Sequence, residues 1–280
     1  VESLRRVDDW PVEHAAAAVV TASGTSTHGE GDRRFPLASV TKLLVAVAAL
    51  LAVEEEAISL DEPAGPEGST VRHLLAHTSG LAFSEQRVMA EPGTRRLYSS
   101  AGFEVLADHL ATRTGIAFAD YLHEAVCEPL GMTSTTLEGS PGHGAVSTLA
   151  DLAVFAAELR APTLLAPETM ADATTVQFPG LNGVLPGLGH QKPNDWGLGF
   201  ELRDHKSPHW TGASSSPGTF GHFGQSGTFL WVDPAAQETQ RSGARPSGGV
   251  AAVVLTDRDF GDWAKEAWPA FTDAVLAELG

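Results

Sequence analysis

The chain has 280 residues and a net charge of −17, with 42% apolar and 19% charged residues. That length is enough for one large domain or two closely packed lobes around a sizeable core. The acidic balance excludes the basic footprint of a nucleic-acid or anionic-membrane binder.

Cys127 is the single cysteine, so no internal disulfide forms. Set beside Glu124 and Glu128, it reads as a small buried hydrophobe rather than a reactive thiol. The opening residues, VESLRRVDDWPVEH, hold no apolar signal core, and no stretch is long and apolar enough to span a bilayer. The compartment stays open: cytoplasmic if the chain is complete, exported if a leader was removed. Residues 15–29, AAAAVVTASGTSTHG, predict a strand and a Gly/Ser turn, with a second strand running toward Phe35. Residues 39–53, SVTKLLVAVAALLAV, are a long apolar run without a breaker and predict a buried helix ending in Glu54, Glu55 and Glu56. Amphipathic helices follow near 70–76, 100–114, 117–126 and 148–160. Residues 161–195 are rich in Pro and Gly and predict irregular chain. Strand patterns return at 197–202, 219–232 and 248–256. The closing segment, DWAKEAWPAFTDAVLAEL, predicts an amphipathic helix interrupted by Pro269.

Strands, helices, strands and a final helix, in that order, point to an α/β (α+β) fold. One antiparallel sheet is built from both chain ends, residues 1–37 and 186–280, and is flanked by helices. A helical lobe, residues 38–185, is inserted between them. The site is expected in the cleft between the two lobes.

Three segments carry chemistry. In Ser39-Val40-Thr41-Lys42 the serine and lysine share one helix face, a turn apart. At a helix start, Ser39 faces unpaired N–H groups and the positive helix end, which favour an oxyanion. Burial beside Leu43, Leu44 and Val45 lowers a lysine pKa, so Lys42 can accept a proton near neutrality. Tyr98-Ser99-Ser100 follows Glu91-Pro92-Gly93-Thr94 on a loop before a helix; its phenol can relay a proton if Lys42 lowers its pKa. Gly221-His222-Phe223-Gly224-Gln225-Ser226-Gly227 leads into a strand at Thr228, where glycines mark close approach to backbone. Taken singly, each segment has an ordinary structural reading: a chance spacing, a packing tyrosine and a Gly-rich hairpin.

Together, in this order, they resemble the serine β-lactamase and penicillin-binding protein superfamily, in its class C β-lactamase, D-alanyl-D-alanine carboxypeptidase and esterase branch. That branch uses S-x-x-K, then Y-x-N or Y-x-S, then K-T-G or H-x-G. FPLASVTK, LLAHTSGL, EPGTRRLYSSAG, EPLGMTSTTL, WGLGF and GHFGQSGTFLWVDP are similar to family segments and cover most of residues 35–256. The resemblance implies Ser39 as nucleophile, Lys42 as base and Tyr98 as the group that protonates the leaving group. It implies Ser100 at the position of a substrate-binding asparagine, and His222, Phe223 and Gly224 lining the site on an edge strand. The oxyanion hole would be the backbone N–H groups of Ser39 and Gln225. His77, in LLAHTSGL, is implied to shape a loop.

No S-D-N or K-T-G occurs, so the class A pattern does not fit. The implied activity is acyl-enzyme hydrolysis of an ester, a β-lactam or a D-amino-acid peptide, with no cofactor and no metal. Small esters are favoured, because Ser100 lacks an amide and Phe223 stands where relatives carry a hydroxyl. The alternative is a non-catalytic ligand- or penicillin-binding member of the same fold. Trp231 is expected to pack within its strand, and Trp210 either borders the cleft or packs. The oligomeric state is open.

Overall fold

The computed structural model describes residues 1–236 and 249–280; residue 248, the first of the last strand pattern, lies outside them. Both chain ends contribute to one six-stranded antiparallel sheet. Its order is Gly24–Gly29, Ala15–Thr21, Val250–Thr256, Thr228–Asp233, Phe220–Gly224 and Glu201–Leu202. Alternation along the central strands sends successive side chains to opposite faces. Ala16, Ala18, Val20, Ala251, Val253 and Leu255 join Leu152 and Phe155 of the helix Leu149–Arg160 in one apolar cluster. Ala17, Val19, Ala252 and Val254 join Trp268, Phe271 and Val275 of the helix Asp262–Leu279 in the other. The sheet is therefore covered on both faces, which is why these strands are nearly all apolar.

The long apolar run forms helix α1, Thr41–Glu54, buried along most of its length, as a helix apolar on every face must be. Ser39 is not in it. It lies in a single 3-10 turn, Ala38–Val40, immediately ahead. The helices expected near 70–76, 100–114 and 148–160 are Val71–Leu75, Ser100–Thr114 and Leu149–Arg160. The one near 117–126 is Phe118–Leu122, followed by a π-helical turn His123–Cys127. Among the described residues, no helix is long and apolar enough to cross a membrane.

Several expectations need correction. The second strand ends at Gly29, whose φ of +89° turns the chain; Phe35 pairs instead with Ser147 in a small three-stranded sheet. Residues 161–195 are not wholly irregular: Pro167–Ala173 is a helix with proline at its start, and Gly183–Leu185 pairs with Gly189–Gln191. The boundary anticipated at 185/186 falls inside that hairpin. In 197–202 only Glu201–Leu202 is strand, because Gly199, at φ +85°, turns against α1, where a Cβ would meet Ala46 Cβ at 2.2 Å. Residues 219–232 fold as a hairpin turning at Gly227 (φ +80°). Pro269 does not interrupt the last helix: one lost backbone bond is offset by the fully buried Trp268, Phe271 and Val275. The first residues, unassigned from sequence, form a 3-10 helix Glu2–Asp9 with Leu4 and Val7 buried.

Candidate active site

Four elements deliver the site. Ala38 takes φ +45°, a left-handed conformation costing roughly 1–2 kcal/mol for a residue with a Cβ, and so redirects the chain into the Ser39 turn. Lys42 follows in the first turn of α1. Tyr98 stands just before the helix Ser100–Thr114, whose N-cap Ser99 accepts the Gly102 N–H at 2.9 Å. His222 lies on Phe220–Gly224, where the outer strand pairs only with Phe220 and Gly221.

This strand and the serine turn are drawn together through Gly224. A Cβ there would fall 2.3 Å from the Leu37 carbonyl oxygen and 3.1 Å from Ala38 Cβ. Ser226 Oγ donates to Pro36 O at 2.6 Å and Thr228 Oγ1 to Leu37 O at 2.9 Å. The hairpin turn is thus tied to the two residues that lead into the Ser39 turn.

Lys42 is fully buried. Its Nζ lies 3.3 Å from Ser39 Oγ, 3.1 Å from Ser100 Oγ and 2.7 Å from Gly142 O, and over the rings of Tyr98 and Phe103 at 4.7 and 5.5 Å. Burial lowers its pKa to about 7, against a smaller upward pull from Glu104. Tyr98 donates to Ser39 Oγ at 2.8 Å and lies 3.2 Å from His222 Nε2. Burial raises the phenol pKa, with the Ser39 contact lowering it less. Lys42 therefore does not bring the phenol down, contrary to the sequence expectation, and Tyr98 stays protonated. Burial and the Lys42 charge hold His222 at about 3. With Nδ1 2.6 Å from the Phe223 carbonyl, which only accepts, the proton sits on Nδ1 and Nε2 is an acceptor.

The structure brings Ser39, Lys42, Tyr98, Ser100 and His222 together. Phe223 is elsewhere: alternation turns it to the opposite face, where its ring meets Trp210, Phe260 and Trp268 at 5.8, 4.8 and 5.9 Å. Its placement in the cleft is thereby corrected. Gln225 aims its side chain at Phe260 O, 3.1 Å away, which leaves only its backbone for the site. Trp210 is buried and donates to Glu201 Oε2 at 2.9 Å, so it packs rather than bordering the cleft; Trp231 is fully buried in its strand. Burial pushes the Cys127 thiol to about 11, as an inert residue requires. His77 accepts the Ser99 N–H at 3.1 Å and lies against the Tyr98 ring at 4.6 Å. The buried Arg96 donates to the carbonyls of Ala76, Gln177 and Asn194 at 2.5, 2.6 and 2.9 Å, fixing the loop that carries Tyr98.

Sequence reasoning missed Gly142, and it placed Trp196 only as a residue flanking the third segment, within WGLGF. Gly142 acts through its carbonyl, which no side-chain pattern signals; its lack of a side chain matters because a Cβ would sit 2.8 Å from Ser100 Cβ. Trp196 backs the site, with its ring 5.7 Å from Tyr98 and 5.6 Å from His222.

A profile of the β-lactamase family matches residues 7–276. The chain belongs to the β-lactamase family. Within it, a crystal structure of a β-lactamase from Mycobacterium bovis is 60% identical, covers 99% of both chains and superposes with a TM-score of 0.94. The D-alanyl-D-alanine-carboxypeptidase/endopeptidase AmpH of Escherichia coli K12 is 25% identical over 158 residues, 43% of this chain and 41% of AmpH. The chain thus matches under half the length of that family member. Simvastatin synthase (LovD) from Aspergillus terreus, unliganded selenomethionyl form, shares the fold at a TM-score of 0.79 and 18% identity, covering 99% of this chain and 96% of its own. The mixed α/β architecture, with an antiparallel sheet flanked by helices, is the fold shared with these solved structures.

Proposed function

We propose that the protein is a serine hydrolase that forms an acyl-enzyme at Ser39, with carboxylic esters as its preferred substrates. The observation that carries this reading is the Lys42 amine, buried, held near 7 and in contact with Ser39 Oγ. In its neutral form the amine has two hydrogens for Gly142 O and Ser100 Oγ and a lone pair for the Ser39 hydroxyl. Lys42 takes that proton as Ser39 Oγ attacks the carbonyl carbon. When the carbon–oxygen bond breaks, the leaving oxygen takes a proton from Tyr98, which the Lys42 ammonium replaces. Water then repeats the sequence on the acyl-enzyme. The backbone N–H groups of Ser39 and Gln225 serve as oxyanion donors, a role supported by the close packing at Gly224.

Two features favour esters over β-lactams. The Ser100 hydroxyl is already engaged by Lys42 and buried, and the neutral His222 offers no positive charge to a substrate carboxylate. An unpaired polar group costs about 1–3 kcal/mol, and a charge more. Phe223, packed on the opposite face of the strand, has no part in this preference. β-Lactam hydrolysis is the second reading, favoured by the 60% identical β-lactamase. A fluorophosphonate should add one adduct on the peptide containing Ser39 and none in Ser39→Ala; an adduct persisting in that variant rejects the mechanism. kcat/KM for p-nitrophenyl acetate should exceed that for nitrocefin, and the reverse order selects the second reading.

A further inference from the structure

Beyond Tyr98 the cleft opens into a groove of about 890 Å³. One wall is the chain from Leu81 to Tyr98, with Phe83 and Met89; the other runs from Gly180 to Pro186, with Leu181 and Val184. The walls are held together from behind. Arg96 bridges to Gly183, where a Cβ would meet the Arg96 carbonyl oxygen at 2.6 Å, and the Arg96 guanidinium is locked on buried carbonyls. The groove is therefore preformed. It reaches the site at Tyr98, which is part of its lining and against which the Phe83 ring stacks at 5.9 Å.

Its surface is unusual for this chain. Seven large apolar side chains are exposed among the described residues, and four gather here: Phe83 at 58%, Val88 at 56%, Met89 at 52% and Val184 at 47%. Phe83, Met89 and Val184 line the groove, and Val88 adjoins Met89. Arg87, Thr94, Arg95 and His190 share the same lining; a cluster of exposed apolar side chains of this kind, on an acidic protein, marks a binding site. The volume lies near the top of the ~300–1,000 Å³ typical of small-molecule pockets, and an acetyl or methyl group would leave most of it in water.

We propose that this groove binds a long alkyl or aryl arm of the ester substrate. The proposal rests on the acyl-enzyme reading at Ser39 and specifies its substrate class. The arm belongs to either the acyl or the alcohol half, and two substrate series separate these: p-nitrophenyl esters from acetate to decanoate, and acetates of lengthening alcohols. In one series kcat/KM should climb about two-fold or more per methylene, as burial of hydrocarbon requires, with the gain appearing in KM. Val184→Ser and Met89→Ser, both at exposed positions, should each cut the octanoate-to-acetate ratio, or its alcohol-series counterpart, by about five-fold, a loss of one to two methylenes' worth of contact. The ratio within each variant cancels any loss of folded protein. Ile116→Ser, an exposed apolar position elsewhere, should leave it unchanged. Non-covalent binding of p-nitrophenyl octanoate to Ser39→Ala, read by calorimetry against the acetate, tests the groove independently of turnover. Flat rates in both series with Ser39 labelling intact, or no affinity gain with chain length in Ser39→Ala, overturns the proposal alone. Absence of Ser39 labelling overturns the reading beneath it.

Discussion

Because the proposed mechanism needs a neutral amine on a buried side chain, Lys42 is the residue at which chemistry and stability meet. Its pKa falls from 10.5 to about 7 through burial, so the amine is a base only above that pH. kcat/KM should rise with pH through about 7, and Lys42→Met should lose about 10³-fold in rate together with that acidic limb. The stability effect has a definite sign. Between about 7 and 10.5 the unfolded chain keeps the Lys42 proton that the folded chain has released, so raising pH favours the folded state. The thermal midpoint of wild type relative to Lys42→Met should therefore climb from pH 6 to pH 10. A constant difference across that range would show that burial does not perturb the amine. The spacing of Ser39 and Lys42 and the apolar run behind them were legible in the sequence, because both are side-chain patterns. The Gly142 carbonyl, the third oxygen on Lys42, was not, because backbone atoms carry no sequence signal. Phe223 was misplaced for a different reason: the motif gives its neighbours, whereas strand alternation, fixed only by pairing with Thr228–Asp233, decides which face it takes.

At the scale of elements, the site depends on how closely one strand approaches one turn. Gly224→Ala would put a Cβ 2.3 Å from Leu37 O and 2.5 Å from Thr228 Oγ1. A backbone carbonyl cannot move aside cheaply, so the strand end should back away from the Ser39 turn. The expected cost is about 1–3 kcal/mol of stability, as for other overpacked interiors, accompanied by a fall in kcat as the Ser39 and Gln225 N–H groups lose register. Chemical denaturation and steady-state kinetics on the same sample check both; unchanged values for both would mean that the contact positions nothing. The strands, α1 and most helices were readable from apolar periodicity and glycine punctuation. The helix Pro167–Ala173 was hidden in a Pro/Gly-rich stretch, although proline at its first position followed by Glu168 is itself a helix-start signal. The continuous last helix was hidden too, since a proline stops a helix only when packing does not outweigh one lost bond.

Across the whole molecule, a buried charge cluster links the sheet edge to the wall behind Tyr98. The Glu201 carboxylate meets Lys206 Nζ at 2.5 Å, His209 Nε2 at 2.9 Å and Trp210 Nε1 at 2.9 Å. Lys206 Nζ also donates to Asp195 O at 2.6 Å and lies 5.6 Å over the Trp196 ring, and that ring touches His77, Tyr98 and His222. Burial pushes Glu201 up, but Lys206 and His209 overcome it and hold the carboxyl at about 2. Glu201→Gln keeps the shape yet leaves Lys206 buried without its counter-charge, which should cost about 3–5 kcal/mol. Adding Lys206→Met removes the stranded charge, so the double variant should recover part of the loss and give a clear coupling energy. The acid dependence follows from the lowered pKa. The stabilisation is complete above the ordinary value of 4.5 and is lost as pH falls from there toward 2. The gap between wild type and Glu201→Gln should therefore narrow over that range. Because the cluster supports Trp196 rather than touching the reacting atoms, the folded single variant should lose kcat while keeping its acidic limb near 7. A shift of that limb would mean instead that the cluster tunes Lys42 directly.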